Sequence, residues 1–243
     1  MGAAFGLGFV IGPAIGGLLG EFGPRVPFFV AAAMTGMKFV FGYFVLPETL
    51  PPDQRRPFSL RRSNPVGALK VFASYRGVVP LAAVMFAYFL ATSVYPAIWA
   101  FWGIARFGWS EAMIGLTLAA FGLITAIIQG TLTGPTVKWL GEKNTVIFGL
   151  AVSVIAAAGY AWAPGLLAVM VLLVIHAPEG FVHPALTAMM SKSAPPDAQG
   201  ELQGGIASLQ SIAMLIGTVF FAQVSGWFMQ PTSPIVTPSA GYV

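Results

Sequence analysis

The chain has 243 residues, of which 57% are hydrophobic and 8% are charged, and its formal net charge is +4. This composition excludes an ordinary soluble domain and is typical of an integral membrane protein in contact with lipid. The chain has no cysteine, which excludes disulfide bonds and thiolate metal sites. It also lacks a phosphate-binding loop, a nucleophilic triad and a nucleic-acid-binding module. We therefore expect no enzymatic activity, no cofactor and no nucleic-acid partner.

Seven apolar stretches are long enough to cross the hydrocarbon core of a bilayer, which needs roughly 20 residues per helix. Short polar turns or turns with glycine and proline separate most of them. The pattern predicts an all-α integral membrane protein with about seven transmembrane helices. The stretches are residues 3–20, 28–46, 78–104, 113–137, 145–162, 166–190 and 202–229.

The first stretch contains a pattern of small residues that begins at Gly8 and continues through Gly12, Pro13, Gly16 and Gly17. Three of the glycines are four residues apart, so they line one side of a helix and let a neighbouring helix approach closely. The proline removes one backbone hydrogen bond and favours a kink. The pattern predicts a grooved, bendable helix at a hinge or a sliding contact. A plain packing helix is the alternative.

Residues 47–77 differ from the other connections because they are long, rich in proline and carry six basic residues. A solvated linker that helps to set the membrane orientation explains these charges, and a phospholipid or partner site is the alternative. The segment divides the chain into two helical units, residues 1–46 and 78–229. The central loop between them is residues 47–77, and the tail after them is residues 230–243.

The basic residues also predict the orientation, since Lys and Arg are concentrated in cytoplasmic loops. With the central loop in the cytoplasm, Lys138, Lys143 and Lys192 fall on the same side. Only Arg25 and Arg106 then fall outside. We therefore expect a multi-pass protein of the cell inner membrane with a cytoplasmic central loop and an external tail.

The pattern from Gly8 to Gly17 resembles G-x-x-x-G-P-x-x-G-G, the fifth-helix signature of proton-coupled drug exporters in the major facilitator superfamily. Later segments are similar, in order, to the tetracycline-resistance branch of these exporters. The resemblance implies part of a twelve-helix fold, from helix five to helix eleven, with two helices of the N-terminal bundle and five of the C-terminal bundle. The later segments are residues 23–29, 106–109, 114–122, 134–143, 184–187 and 199–204.

The resemblance implies proton-coupled efflux of tetracycline-like or other amphiphilic drugs by alternating access, with the drug and protons as partners. The alternative is a non-transporting remnant, or an accessory membrane subunit that needs a partner chain for the missing helices. The resemblance also identifies a gating loop that contains Gly134, Lys138, Gly141 and Lys143. Lys138 stands where the family pattern has an acid, so a charge relay is not expected in this loop.

Ionisable side chains inside a membrane span are unfavourable by on the order of 3 kcal/mol each, so they are candidate functional residues. His176, Glu179 and His183 lie midway along the sixth stretch, and their spacing places them on one side of an α-helix. Pro178 and Pro184 loosen the backbone there, as in the broken helices that often mark binding sites at the membrane midplane. A carboxylate beside two imidazoles can exchange a proton near neutral pH. A polar cluster that only joins helices and a metal site are the alternatives, although the spacing does not match the H-E-x-x-H zinc motif.

Aromatic and amide side chains on other spans complete the predicted pathway for the substrate or the proton. Tyr95 and Trp99 in the third stretch and Gln129 in the fourth suit a cavity for an aromatic, amphiphilic drug. Gln203 and Gln210 are candidates to face the same cavity from the last stretch. Plain packing is the alternative for the aromatic residues.

Overall fold

The computed structural model describes residues 8, 11–12, 15–45, 69–75, 77–195 and 198–228. All regular elements in these residues are helical, beginning with a segment over residues 15–20. The elements that follow are α1 (Val26–Val45), α2 (Lys70–Ser74), α3 (Val78–Thr92), α4 (Val94–Phe107), α5 (Glu111–Thr131), α6 (Thr133–Leu140), α7 (Glu142–Trp162), α8 (Leu166–His176), a 3₁₀ helix (Ala177–Phe181), α9 (Val182–Lys192) and α10 (Gln199–Phe228).

Six candidate membrane spans in the described residues confirm the all-α membrane fold. They overlap the second to the seventh predicted stretches. Half of the first predicted stretch lies outside the described residues, and so do most of the central loop and the whole tail. The six spans are Val26–Val45, Val78–Phe107, Glu111–Thr131, Glu142–Trp162, Leu166–Lys192 and Gln199–Phe228.

Proline residues explain where α3 and α5 end. Pro96 has no N–H to bond the carbonyl of Thr92, and α3 ends at Thr92. Pro135 likewise leaves the carbonyl of Thr131 without its helical donor, and α5 ends at Thr131. The third span is therefore a broken helix made of α3 and α4. The fourth span ends earlier than predicted, and the short helix α6 follows it.

The turn between α4 and α5 is determined by local chemistry. Gly108 adopts a left-handed backbone conformation, with φ of 65°, directly after the last residue of α4. The hydroxyl of Ser110 then accepts a hydrogen bond from the Met113 N–H at 3.3 Å, which caps the first turn of α5. The turn lies between the third and the fourth predicted stretches, residues 78–104 and 113–137.

Two apolar clusters lie on either side of the helix breaks. One cluster joins α3, α9 and α10 through residues such as Met85, Leu186 and Leu202. The other joins α4, α7 and α8 through Trp99 and Leu173. Many other large apolar residues are exposed, as expected for helices that contact lipid. Helix α1 has no buried residue at all.

Candidate functional site

The centre of the candidate site is a close contact between two ionisable side chains on the broken span Leu166–Lys192. His176 is the last residue of α8, and Glu179 follows within the 3₁₀ helix. Nε2 of His176 lies 2.9 Å from Oε2 of Glu179. The two residues are only 2% and 6% exposed, so the carboxylate has the imidazole as its partner in place of bulk water. Such pairing makes ionisable groups tolerable inside a membrane span.

Side chains from other helices surround this pair. On α7, the hydroxyl of Ser153 lies 3.4 Å from Nε2 of His176, and the hydroxyl of Tyr160 lies 3.4 Å from Nδ1. The ring of Phe121 on α5 stacks on the imidazole with ring centroids 5.2 Å apart. The hydroxyl of Tyr88 on α3 lies near the Glu179 carboxylate. These contacts hold the imidazole in one orientation.

Two cavities share aromatic walls, and only the smaller of them is lined by a residue of the pair. The smaller cavity, of about 30 Å³, is lined by His176, and it has room for about one or two water molecules. The larger cavity, of about 210 Å³, is lined by Trp102. Tyr95, Trp99 and Tyr160 line both cavities. Pockets for drug-sized ligands measure roughly 300–1,000 Å³, so the larger cavity suits one part of such a molecule.

The aromatic wall is itself hydrogen-bonded and closely packed. Nε1 of Trp99 donates to the hydroxyl of Thr117 at 3.0 Å. The rings of Trp99 and Tyr160 meet edge to face with centroids 5.3 Å apart. The structure therefore brings Tyr95 and Trp99 to the same cavity as His176. Aromatic rings in this arrangement offer π faces to an aromatic or cationic group.

The structure separates His183 from the other two ionisable residues. Its ring packs against Phe89 with centroids 5.5 Å apart. The expectation of one shared face is wrong because Ala177–Phe181 is a 3₁₀ helix rather than an α-helix. A 3₁₀ helix turns about 20° more per residue than an α-helix. Over the five residues of this segment the difference grows to about 100°, which carries His183 to another side.

The three predicted glutamines lie in different places. Gln129 donates a hydrogen bond to the backbone carbonyl of Gly180 at 2.9 Å, so it binds the 3₁₀ helix rather than lining either cavity. Gln203 is exposed. Gln210 is half-buried, and its amide lies 3.8 Å from the sulfur of Met214 on the same helix. Neither of the two glutamines on α10 lines the cavities described above.

Sequence reasoning missed four members of the site: Tyr88, Phe121, Ser153 and Tyr160. Three of them are aromatic residues among many in apolar spans, where composition alone does not distinguish them. Ser153 and Tyr160 are seven residues apart, which places both on one side of α7. That spacing was the available signal for a polar face opposite His176.

The predicted gating loop is largely helical. Gly134 and Lys138 belong to α6, and Gly141 follows with φ of 78°. Lys138 and Lys143 are exposed. The ion pair of this region instead joins Glu142 to Lys192, with Nζ and Oε1 2.7 Å apart, and it links the start of α7 to the end of α9.

The glycine pattern of the first stretch is only partly visible. Gly8, Gly12, Gly16 and Gly17 have no atom of the described residues within 4 Å of the position that a Cβ would occupy. Pro13 lies outside the described residues. The predicted close contact of this face with another helix is therefore not seen within this part of the chain.

A profile of the Major Facilitator Superfamily matches residues 1–218. The chain belongs to the major facilitator superfamily. This confirms the expected family, whose members are membrane transporters, and it agrees with the multi-pass arrangement of the described spans.

Curated relatives identify the branch that the chain resembles. The class C tetracycline resistance protein of Escherichia coli is 37% identical over 93% of this chain and 58% of its own length. The class G protein of Vibrio anguillarum is 36% identical over 91% of this chain and 56% of its own length. Multidrug resistance protein 2 of Bacillus subtilis (strain 168) is 30% identical over 92% of this chain and 55% of its own length. The chain thus spans a little over half the length of these relatives.

The fold of this chain is also similar to that of a solved transporter structure. The human organic anion transporter MFSD10 (TETRAN) is similar with a TM-score of 0.67 and 25% sequence identity. The match covers 91% of this chain and 57% of that transporter. The arrangement of helices is therefore a part of the major facilitator fold.

Proposed function

We propose that this chain forms part of a proton-coupled exporter of tetracycline-like or other amphiphilic drugs that works by alternating access. The observation that carries the proposal is the buried pair of His176 and Glu179 at the break of a membrane span. Broken spans with polar groups near the midplane are where transporters bind substrates and coupling ions. The similarity to tetracycline resistance proteins supports the same reading.

In this proposal the His176–Glu179 pair takes up and releases the coupled proton. The imidazole and the carboxylate are 2.9 Å apart, so a proton moves between them without a large displacement of either group. The small cavity beside His176 provides space for water that delivers the proton. His183 is placed against Phe89, and we assign it no part in this step.

The drug contacts the aromatic wall in this proposal. Tyr95, Trp99 and Tyr160 stand between the imidazole and the larger cavity, because they line both cavities. A bound aromatic drug would therefore press on the side chains that surround the proton-binding pair. This arrangement couples the occupancy of the drug site to the protonation of the pair, which is the requirement for exchange.

We further propose that the central loop is cytoplasmic, and that residues 1–46 and 78–229 contribute to the two bundles of the transporter. Helix α1 has no buried residue, which supports its packing against helices from outside the described residues. These helices belong either to the same transporter polypeptide or to a partner chain. The same uncovered helix favours the second candidate function, an accessory membrane subunit.

Labelling of single cysteines tests the proposed orientation. One cysteine replaces Ser63 in the central loop, and another replaces Glu21. An impermeant reagent added to intact cells should label the cysteine at position 21 and leave the cysteine at position 63 unlabelled.

The deciding experiment uses a chimera in which this chain replaces the matching part of the class C tetracycline resistance protein. Drug-dependent proton movement is measured in inverted membrane vesicles across a range of pH. We expect Glu179→Gln to reduce exchange about tenfold or more, because glutamine keeps the size and hydrogen bonding but does not titrate. The protein level in the membrane should remain close to that of the parent chimera.

The matched control is Glu201→Gln, which removes an exposed carboxylate at the start of α10. This control should leave both the exchange and its pH dependence unchanged. Full, pH-dependent exchange by the Glu179→Gln chimera would rule out a proton-carrying role for Glu179. A parent chimera that reaches the membrane but moves no drug would favour the accessory-subunit alternative.

A further inference from the structure

The backbone carbonyl of Gly180 lacks the hydrogen-bond donor that an α-helix would give it. In an α-helix this carbonyl would accept from the N–H of residue 184, but residue 184 is proline and has no N–H. Gly180 is buried, in the middle of a membrane span. An unsatisfied carbonyl in such a place is unfavourable, because no water is available to bond it. The sequence therefore creates a requirement for a donor from elsewhere.

The side chain of Gln129 meets this requirement from another helix. Its Nε2 donates to the Gly180 carbonyl oxygen at 2.9 Å, which is an ideal length for an N–H···O hydrogen bond. The approach is close. A Cβ at position 180 would lie 2.9 Å from Nε2 of Gln129 and 3.0 Å from Cγ2 of Thr125. Glycine at this position therefore allows α5 to come near enough for the bond to form.

The other side of the 3₁₀ helix is held by α7. A Cβ at Gly149 would lie 2.6 Å from Cγ2 of Val182 and 3.2 Å from the carbonyl oxygen of Pro178. The 3₁₀ helix is thus clamped between α5 and α7, with a hydrogen bond on one side and close packing on the other. Glu179 lies directly before the bonded Gly180, so the position of its carboxylate depends on this clamp.

We infer that Gln129 is a positioning residue that supplies the hydrogen bond removed by Pro184 and thereby holds Glu179 against His176. Without this bond, the Gly180 carbonyl loses the donor that reaches it from α5. A shift of about 1 Å would then break the contact between Glu179 and His176, since hydrogen bonds weaken steeply beyond roughly 3.2 Å. The consequence for transport rests on the proposed function, but the hydrogen bond and its effect on the His176–Glu179 pair do not.

A double-mutant cycle tests this inference on the full chain in detergent micelles. The variants are Gln129→Leu, Pro184→Ala and the double variant Gln129→Leu/Pro184→Ala. Two quantities are measured: the midpoint of thermal unfolding and the ¹⁵N chemical shift of Nε2 of His176. The signal of His176 is assigned with a His183→Asn variant, because the chain has only two histidines.

We expect Gln129→Leu to lower the unfolding midpoint by about 5 °C and to move the Nε2 resonance, because the contact with Glu179 is lost. Pro184→Ala alone should stay close to the parent chain. The double variant should recover both quantities, because the alanine introduced at position 184 restores the backbone N–H that pairs with Gly180. A residue that only lined a drug cavity would not be rescued in this way.

The matched control is Gln223→Leu, which changes an exposed glutamine on α10 and should alter neither quantity. A double variant as impaired as Gln129→Leu, or a Gln129→Leu variant with an unchanged Nε2 resonance, would overturn the inference. If Gln129→Leu yields no folded chain, recovery of folded protein in the double variant supports the inference, and failure to recover it overturns it. Neither measurement requires transport, so a failure of the proposed exchange function would leave this result intact.

Discussion

Two membrane spans are broken near their middles, and the two breaks are built differently. The first lies at Ser93, between α3 and α4. The second is the 3₁₀ helix Ala177–Phe181, between α8 and α9. A proline follows each break, Pro96 after the first and Pro184 after the second, and each removes one helical hydrogen bond.

The first break is completed by its own helix and by close packing. The hydroxyl of Ser93 donates to the Leu90 carbonyl at 2.6 Å, within the same span. Gly217 of α10 packs directly against it, because a Cβ at 217 would overlap the Ser93 hydroxyl and lie 2.8 Å from the Leu90 carbonyl oxygen. No ionisable side chain takes part in these contacts. The first break is therefore a joint between two helices.

The second break is completed by side chains from other helices and holds the ionisable pair. Gln129 supplies a donor from α5, and Ser153 and Tyr160 approach His176 from α7. The comparison shows that a proline determines where a span is interrupted, whereas the side chains of neighbouring helices determine what kind of break forms there. A small neighbour produces a packing joint, and polar neighbours produce a site that can hold a proton.

The largest effect in this comparison is expected from Gly217→Ala at the first break. The new methyl group would meet a backbone carbonyl, which no side-chain rotation can relieve, so we expect destabilisation of about 3 kcal/mol. Unfolding of the purified chain in mixed detergent micelles measures the change. Gly226→Ala is the control on the same helix, because no atom of the described residues lies within 4 Å of that Cβ position. Equal stability of the two variants would show that the first break is not a tight joint.

A smaller effect is expected from Glu179→Leu at the second break. This change leaves the buried imidazole of His176 without its carboxylate partner, and we expect destabilisation of about 2 kcal/mol. Glu179→Gln should lose less, because the amide still forms hydrogen bonds. The same unfolding assay compares the two. If leucine is tolerated as well as glutamine, the pair does not contribute to the stability of this break.

The smallest effect is expected from Ser93→Ala. The Ser93 hydroxyl bonds a carbonyl of its own helix, a local contact that contributes little to helix stability, so we expect a change of about 0.5 kcal/mol or less. The measurement is again unfolding in mixed micelles, with Glu179→Leu as the reference. A loss as large as that of Glu179→Leu would mean that both breaks depend on polar contacts, and the contrast between them would disappear.

Several features of the fold and the site were predictable because they depend on short segments of sequence. The apolar stretches predicted the six described spans, since burial in lipid requires about 20 apolar residues in succession. The spacing of His176 and Glu179 predicted that both lie on one side of their helix, and in the structure Nε2 and Oε2 are 2.9 Å apart. The placement of His183 did not follow, because the spacing rule assumes an α-helix, and tight packing against Gly149 and Gln129 holds a 3₁₀ helix there instead.

By itself the sequence determined the membrane class, the spans and the positions of the breaks, because hydrophobicity and the missing N–H of proline act locally. It also determined the family, through motifs whose residues are close together in the chain. Only the tertiary structure decided that Ser153, Tyr160 and Phe121 surround His176 and that Gln129 binds Gly180 across 51 residues of chain. The physical reason is that these contacts join residues distant in sequence, so they depend on how the helices pack together.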